Sequence, residues 1–305
     1  MKKELIPPKD KHGQTLMTKK YIQDICEYEG LFTNPIYNTK LYLNSKNFSK
    51  IENLEEYVAA EGLWLQSNFI SKIEGLTTLT KLKFLFLQDN SLTHIEGLET
   101  LRELVRLDLS YNKISKIENL ENLTKLKDLI ISHNNISSIQ DLKGLESVKS
   151  TLSFLNLSKN KIHFDEELLP WFKSLEHVIF LELQNNPICD QMDYYRKRII
   201  GTLEQITYLD NKAIEPAEKR FALAFVKGGE QLEKEERDKY QFELLLKTIN
   251  NREEEREYYK KVNERMKRTV ANMKIECQKE KLRLLQRKEE LMKSNLRVKC
   301  GRIAE

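Results

Sequence analysis

One asparagine recurs at a regular interval through the middle of the chain. Successive members are 22 residues apart at first and 26 residues apart at the end: Asn68, Asn90, Asn112, Asn134, Asn160 and Asn186. Each stands in a version of the pattern Leu-x-Leu-x-x-Asn-x-Ile. A strict period of this length means that one small unit of structure is repeated and that each unit buries its apolar face only against its neighbours. The chain is therefore predicted to form a solenoid.

Seven strands are predicted from a second regularity. Side chains alternate between the two faces of a strand, so an aliphatic residue on each side of a variable one indicates a strand with one buried face. Seven segments fit: Leu41–Leu43, Leu63–Leu65, Leu85–Leu87, Leu107–Leu109, Leu129–Ile131, Leu155–Leu157 and Leu181–Leu183. A further motif, Ile-Glu-Asn/Gly-Leu, supplies apolar residues to the return half of four repeats. Together these motifs are typical of leucine-rich repeats, which predicts an α/β solenoid with a parallel sheet on its concave face.

The six recurring asparagines, here called the asparagine ladder, are predicted to be structural. A buried side-chain amide can bond the backbone groups that are exposed where a strand turns away. Lys46 takes the corresponding place in the first repeat. We therefore expect the first repeat to be more open to solvent than the others.

Caps are predicted at both ends of the stack. Residues 1–17, with a Pro-Pro pair and mixed charges, are expected to be disordered, and residues 18–37 to form an N-terminal cap helix that begins after Thr18. The repeats occupy residues 38–186, and the apolar residues of 187–228 indicate a C-terminal cap. Residues 229–305 are rich in Glu, Lys and Arg with few Pro or Gly, which predicts a long charged helix.

Two interpretations of that last helix remain open. A short seam with alternating steps of three and four indicates a coiled coil, although one charged residue interrupts it: Leu282, Leu285, Glu289, Met292 and Leu296. Upstream, around residues 262–273, the register slips. The alternative is a single solvated helix with charges on all faces. The sequence leaves the oligomeric state open.

No catalytic constellation is found. The five histidines are scattered, and no phosphate-binding glycine loop, nucleophile elbow or zinc-protease motif occurs. We therefore predict that the chain is not an enzyme and that it binds no cofactor or metal.

Charge and hydropathy exclude further classes of function. Fifty-one basic and 47 acidic side chains give a net charge of +4, which offers no general argument for nucleic-acid binding. No segment approaches the ~20 apolar residues that span a bilayer, and the first residues lack the apolar run of a secretory signal. The four cysteines are far apart and are expected to be free thiols. These features predict a cytoplasmic protein that binds neither nucleic acid nor membranes.

A partner-binding surface is predicted on the concave face. Because neighbouring strands lie ~4.8 Å apart, three aromatic residues at equivalent outward positions should form one column, and exposed aromatic patches usually mark a partner site. The predicted binding residues are Tyr42, Trp64, Phe84, Phe86, Arg106, Asp108, Asp128, Phe154 and Glu182. In the alternative interpretation, the N-terminal helix or the charged tail folds over the aromatic column.

Several segments resemble the family of dynein axonemal assembly factor 1. The likeness lies in Met17–Lys19, Leu41–Leu43, Ile51–Tyr57, Leu63–Asn68, Leu85–Gln88, the closure Tyr208–Asp210 and, outside any repeat consensus, Gly228-Gly229 followed by Glu233–Arg237. The resemblance implies a non-enzymatic, protein-binding scaffold that is required for cytoplasmic preassembly of axonemal dynein arms and so for motile cilia. The partners that it implies are axonemal dynein subunits and chaperones, and the location is the cytoplasm with an association with the cilium.

A second function remains open at this point. Repeats of 22 residues are also similar to those of a regulatory subunit of protein phosphatase. The alternative prediction is a phosphatase-targeting subunit that binds a catalytic partner through the concave face.

Overall fold

The computed structural model describes residues 5–301 and shows a nine-stranded sheet whose strands lie in sequence order. Seven parallel strands come one from each repeat: β1 (Lys40–Tyr42), β2 (Gly62–Trp64), β3 (Phe84–Phe86), β4 (Arg106–Asp108), β5 (Asp128–Ile130), β6 (Phe154–Asn156) and β7 (Phe180–Glu182). β8 (Tyr208–Leu209) continues them in parallel, and β9 (Lys212–Ala213) closes the sheet in antiparallel. The predicted leucine-rich repeat solenoid is confirmed.

The strands are paired in one register throughout. The central leucine of each strand is opposite the central leucine of the next, and all seven are between 0% and 1% exposed. Because side chains alternate along a strand, the residues before and after each leucine point to the other face of the sheet. They form two columns across the concave surface, and the candidate site lies on these columns.

Short helices lie on the return side of the later repeats. They are α2 (Ile139–Leu142), followed by a 3₁₀ turn at Lys143–Ser147, and α3 (Leu168–Lys173). The C-terminal cap adds α4 (Ile188–Gln191) and α5 (Tyr195–Thr202). α2 and α3 lie in the two 26-residue intervals, so the additional residues are used to form helical returns where the 22-residue repeats have turns.

Each residue of the asparagine ladder links two repeats through its side-chain amide. The amide nitrogen donates to a carbonyl at the end of its own strand and to one in the preceding repeat, and the amide oxygen accepts from a backbone N–H of the preceding repeat. Asn68, in the second repeat, accepts from two N–H groups of the first repeat, those of Lys46 and Phe48. The ladder thus satisfies backbone groups that would otherwise be buried without a partner.

The N-terminal segment corrects one expectation. Residues 5–17 are ordered: Thr15 pairs with both Lys9 and Phe48 in isolated β-bridges, and Thr15 and Met17 are 4% and 1% exposed. Residues 1–4 lie outside the described part. The segment is ordered because it pairs with the backbone edge of the first repeat and buries side chains against the apolar end of that repeat. For the same reason that repeat is not open to solvent, and Phe48 beside Lys46 is fully buried.

The first helix also covers that end of the stack. α1 (Lys19–Tyr28) begins after Thr18, whose hydroxyl accepts from the Tyr21 N–H at 3.2 Å. Its buried face consists of Tyr21, Ile22, Ile25 and Cys26. The Tyr21 ring meets the Phe48 ring edge-on at 6.0 Å. The apolar face of α1 therefore packs against the first repeat and covers the N-terminal end of the core.

The last helix, α6 (Pro216–Gly301), changes direction at Gly228 (φ −152°) and Gly229 (φ 68°). The chain divides into two compact units, Met1–Arg237 and Asp238–Glu305. The bend coincides with the predicted start of the charged helix at residue 229, whereas the division between the units lies nine residues later, between residues 237 and 238. The reason is Glu233, which is 5% exposed and which accepts from Lys197 Nζ at 2.7 Å and from Arg237 at 2.6 Å.

The charge of Glu233 is balanced locally. Burial alone would raise the pKa of its carboxyl, but hydrogen bonds and charges from Lys197 and Arg237 outweigh burial and lower it. Lys197 in turn lies 5.4 Å from the Tyr194 ring centre and 5.1 Å from the Phe225 ring centre. This group ties the start of α6 to the C-terminal cap.

From residue 238 to residue 301, the second unit is a single charged helix. Up to residue 290 its side chains are exposed except for Tyr240 and Val262, which are half-buried. Within residues 5–301, no helix contains an apolar stretch long enough to span a membrane.

Candidate functional site

Three aromatic rings are stacked at one end of the concave face. Tyr42 on β1, Trp64 on β2 and Phe86 on β3 are opposite one another in register. The Tyr42 and Trp64 ring centres are 4.8 Å apart, and those of Trp64 and Phe86 are 5.3 Å apart with nearly parallel planes. All three side chains are half-buried. We call these three residues the aromatic platform.

A glycine makes room for the central ring of the platform. A Cβ atom at Gly62 would lie 2.6 Å from both Cη2 and Cζ3 of Trp64, so the indole lies across the position where every other residue would place a side chain. Phe84, opposite Gly62 on β3, is 40% exposed and extends the apolar surface beside the indole. The packing on both sides and from below restrains the Trp64 ring. A side chain that is already restrained would lose little further entropy in an interface.

Charged residues border the platform. The Arg106 guanidinium lies 6.0 Å from the Phe86 ring centre and 3.6 Å from an Asp128 carboxylate oxygen. Arg106 Nε is buried and has no hydrogen-bond partner among the described residues. Asp108 is 9% exposed, and its Oδ1 accepts from the Ser110 N–H at 3.0 Å and hydroxyl at 2.6 Å. The Arg106 and Asp128 side chains pair with each other and are 40% and 30% exposed, whereas the carboxylate of Asp108 accepts hydrogen bonds from the end of its own strand.

A second group of aromatic residues lies at the other end of the concave face. Phe154, Phe180 and Tyr208 follow one another on β6, β7 and β8, with ring centres 6.0 Å and 5.4 Å apart. We call them the C-terminal aromatic row. Phe180 and Tyr208 were not among the predicted residues. The signal for Phe180 was its position equivalent to Phe84 and Phe154, but Tyr208 lies outside the repeat pattern.

An acidic group stands beside this row. Glu182 accepts from the Asn156 amide at 2.9 Å. Burial, and then the nearby charge of Asp210, raise the pKa of Glu182. Asp210 itself accepts from two backbone N–H groups and from the Tyr195 hydroxyl. A carboxylate that is partly desolvated next to a second one favours a positively charged partner group.

The predicted binding residues therefore form two separate groups. Tyr42, Trp64, Phe84 and Phe86 form the first, and Phe154 with Glu182 belongs to the second. The charged residues of β4 and β5 lie between the two groups, with Asp128 opposite Phe154. Phe86 on β3 and Phe154 on β6 are three strand spacings apart, or ~14 Å. Among the side chains that the structure describes, no three His, Cys, Asp or Glu are close enough together to hold a metal ion.

Comparison with family models agrees with the repeat architecture. A family model described as "Leucine-rich repeat" matches residues 99–236. A solved internalin structure from Listeria monocytogenes str. 4b F2365 is similar with a TM-score of 0.49 and 25% identity, over 62% of this chain and 50% of that one.

The dynein axonemal assembly factors share a much higher sequence identity with this chain than the internalin does. The human dynein axonemal assembly factor 1 is 52% identical over 265 residues, which is 84% of this chain and 36% of that protein. The protein of the same name from Peromyscus polionotus is 58% identical over 221 residues, 72% of this chain and 35% of that protein. A homologue from Drosophila erecta is 43% identical over 229 residues, 75% of this chain and 15% of that protein.

The chain spans about a third of the length of its mammalian relatives. The matching part includes most of the leucine-rich repeat solenoid that carries the aromatic platform. On the identity of this part and the fold that it adopts, the chain belongs to the dynein axonemal assembly factor 1 family.

Proposed function

We propose that this chain is a protein-binding scaffold in the assembly of axonemal dynein and that it recognises its partner through the aromatic platform. The observation that carries this proposal is the stack of Tyr42, Trp64 and Phe86 on neighbouring strands of a concave sheet. Tryptophan, tyrosine and arginine are the residue types most enriched at binding hot spots, and all three meet here with Arg106 at the edge. The names of the relatives support the role in dynein assembly.

The more specific part of the proposal concerns the cellular location and the binding partners. We place the scaffold in the cytoplasm, where it would act with chaperones on axonemal dynein subunits before they reach motile cilia. The support for this part is the family resemblance. Because the family is named for dynein assembly, the first experiment measures the recovery of dynein subunits rather than of chaperones.

The test removes two rings of the platform. Trp64→Ala combined with Phe86→Ala should weaken binding by several kcal/mol, because buried aromatic anchors contribute about 2 kcal/mol or more each. In extracts of ciliated cells, the tagged wild type should recover axonemal dynein chains and the double variant should recover few or none. Rescue of depleted cells should follow the same order, with axonemes that lack dynein arms in the double variant.

A matched control separates binding from folding. Phe69→Ala removes an aromatic side chain that is 61% exposed and lies outside the strands, so it should recover dynein chains normally. The melting temperature of the double variant should stay within about 4 °C of the wild type, since both rings lie outside the leucine core. Undiminished recovery of dynein chains by a stable double variant would remove the platform from the mechanism. Recovery of a phosphatase catalytic subunit in their place, lost in the double variant, would favour the phosphatase-targeting alternative.

A further inference from the structure

The helix of the second unit carries an apolar stripe that is open to solvent. From Phe242, alternating steps of three and four residues reach Arg287 without a break, and nine of the fourteen positions are apolar. Apart from Cys277, the apolar side chains on the stripe are between 42% and 65% exposed. Phe242, Leu245 and Ile249 form its first part, and Met266, Val270, Met273 and Cys277 its densest part. We call the fourteen positions the heptad seam.

The heptad seam differs from the short seam that the sequence analysis identified. Leu282, Leu285 and Met292 lie at other heptad positions, away from the seam, and the side chain of Leu296 lies outside the described residues. Met266, Val270 and Met273 were interpreted as a slip in register. Counted from Phe242, they are in phase.

We propose that two copies of this chain associate through the heptad seam as a parallel, in-register coiled coil. An apolar stripe with a period of 3.5 residues is buried when two such helices supercoil around each other. The identity of the partner, the direction and the register each rest on particular residues of the seam and its borders.

The residues at the first core position of the heptad favour a coiled coil of two helices in register. Ile249 and Val270 are β-branched residues at this position, which favours two-stranded coils. Asn263 is at the same position. A single asparagine there fixes the register, because its amide is satisfied only by the same amide of the second helix.

The charges that border the seam favour a second copy in the parallel direction. One border is a row of lysines at heptad spacing: Lys260, Lys267, Lys274, Lys281 and Lys288. The other border carries Glu255 and Glu276, each five residues before a lysine of the row. In a parallel pair, these glutamates face Lys260 and Lys281 of the second copy. In an antiparallel pair the lysine row would face itself, which is repulsive.

Charged residues within the seam follow the same pattern. In the parallel arrangement Arg252 lies beside Glu253 of the second copy, and Glu280 lies beside Lys281 of the second copy. There are three exceptions. Arg256 is at the first core position and faces Arg256 of the second copy, Arg283 on the glutamate border faces Lys288 of the second copy, and Arg287 lies beside Lys288. The interaction should therefore be weaker than that of an all-apolar seam and should depend on concentration.

The test begins with the purified 305-residue chain. Sedimentation velocity at about 1 to 100 µM protein should show a shift from monomer mass to dimer mass. A short bismaleimide should link Cys277 of one copy to Cys277 of the other, because this exposed thiol lies on the seam and meets itself only in the parallel, in-register pair. Cys277→Ser should abolish that cross-linked peptide.

Two glutamate substitutions then locate the seam. Val270→Glu places a carboxylate in the seam and should raise the dimer dissociation constant at least about a hundredfold. Leu285→Glu makes the same kind of change on an exposed leucine away from the seam and should leave the constant nearly unchanged. Circular dichroism shows whether both variants keep their helix.

Three results would overturn the proposal. The first is a monomer at every concentration. The second is a dimer without the Cys277–Cys277 peptide, which would exclude the parallel register. The third is dissociation by Leu285→Glu but not by Val270→Glu. None of these measurements involves dynein, so their outcome is independent of the test of the aromatic platform.

Discussion

At the scale of single residues, Asn112 shows what the asparagine ladder contributes. Its amide nitrogen donates to the carbonyls of Leu87, Leu109 and Ser110 at 3.0, 3.0 and 3.1 Å, and its oxygen accepts from the Leu92 N–H at 2.9 Å. Alanine would leave the Leu92 N–H without a partner, at about 1–3 kcal/mol for a buried unsatisfied group. The three carbonyls would each lose one bond and keep another, from Asn90, Asn134 and the Asp89 N–H. We expect Asn112→Ala to lower the free energy of unfolding by at least about 2 kcal/mol, measured by urea denaturation.

The control for this change is another asparagine of the same repeat region. Asn122 is half-buried and does not belong to the ladder, so Asn122→Ala should change the free energy of unfolding by no more than about 0.5 kcal/mol. Equal effects of the two substitutions would show that the amide bonds of Asn112 contribute nothing beyond an ordinary surface side chain.

A glycine explains the alternation in the Ile-Glu-Asn/Gly-Leu motif. Gly97 has φ +69°, and a Cβ there would lie 2.3 Å from the Ile73 carbonyl oxygen. Asn53 and Asn119 occupy the same place in other repeats with φ 61° and 58°, and the Asn119 amide donates to a carbonyl of the preceding repeat at 2.6 Å. The position thus requires the left-handed conformation, which glycine and asparagine adopt most readily.

The corresponding prediction compares two substitutions at one site. Gly97→Ala should destabilise the fold by about 1–3 kcal/mol, from strain and from the close carbonyl. Gly97→Asn should cost clearly less, because asparagine tolerates this conformation and its amide can bond the same carbonyl. Thermal unfolding of both variants provides the measurement. A larger loss for asparagine than for alanine would contradict this account of the motif.

At the scale of elements, the two ends of the solenoid extend beyond the limits that the sequence indicates. Thr15 and Met17 are buried before α1, and Glu233 is buried after the bend at Gly228-Gly229. A chain of residues 5–237 should melt within about 2 °C of the 305-residue chain, whereas one of residues 18–228 should melt at least about 4 °C lower. The shorter chain loses the cover of the first repeat and leaves Lys197 without its carboxylate. Equal melting temperatures for both would mean that neither end completes the core.

At the scale of the whole molecule, the two surfaces that we propose for binding lie on different compact units. The solenoid presents the aromatic platform on a rigid sheet, and the second unit presents the heptad seam on an exposed helix. A parallel pair of chains would therefore carry two platforms in one assembly. Two linked sites can bind a partner with repeated features far more tightly than either alone. The platform and seam variants act on different units, so they can be combined to measure this effect.

The sequence by itself determined the solenoid, the order of its strands and the positions of the ladder. These follow from the sequence because each strand pairs with its neighbour one period away, in the same register, so that the period of the sequence is also the topology of the sheet. The column of Tyr42, Trp64 and Phe86 follows from the same alignment. The reason why asparagine and glycine alternate in the Ile-Glu-Asn/Gly-Leu motif cannot be read from the sequence. It depends on a positive φ angle and on the distance to a carbonyl of the preceding repeat.

Only the tertiary structure decided how the ends are completed and how the concave face is divided. Thr15 meets Phe48, and Lys197 meets Glu233, across 33 and 36 residues of chain that follow no period. Tyr208 extends the C-terminal aromatic row from a strand that belongs to no repeat. A repeating pattern specifies what each unit shares with the next. Contacts that occur once, where the stack stops and its apolar ends must be covered, depend on the three-dimensional fit of remote segments and leave no periodic signal in the sequence.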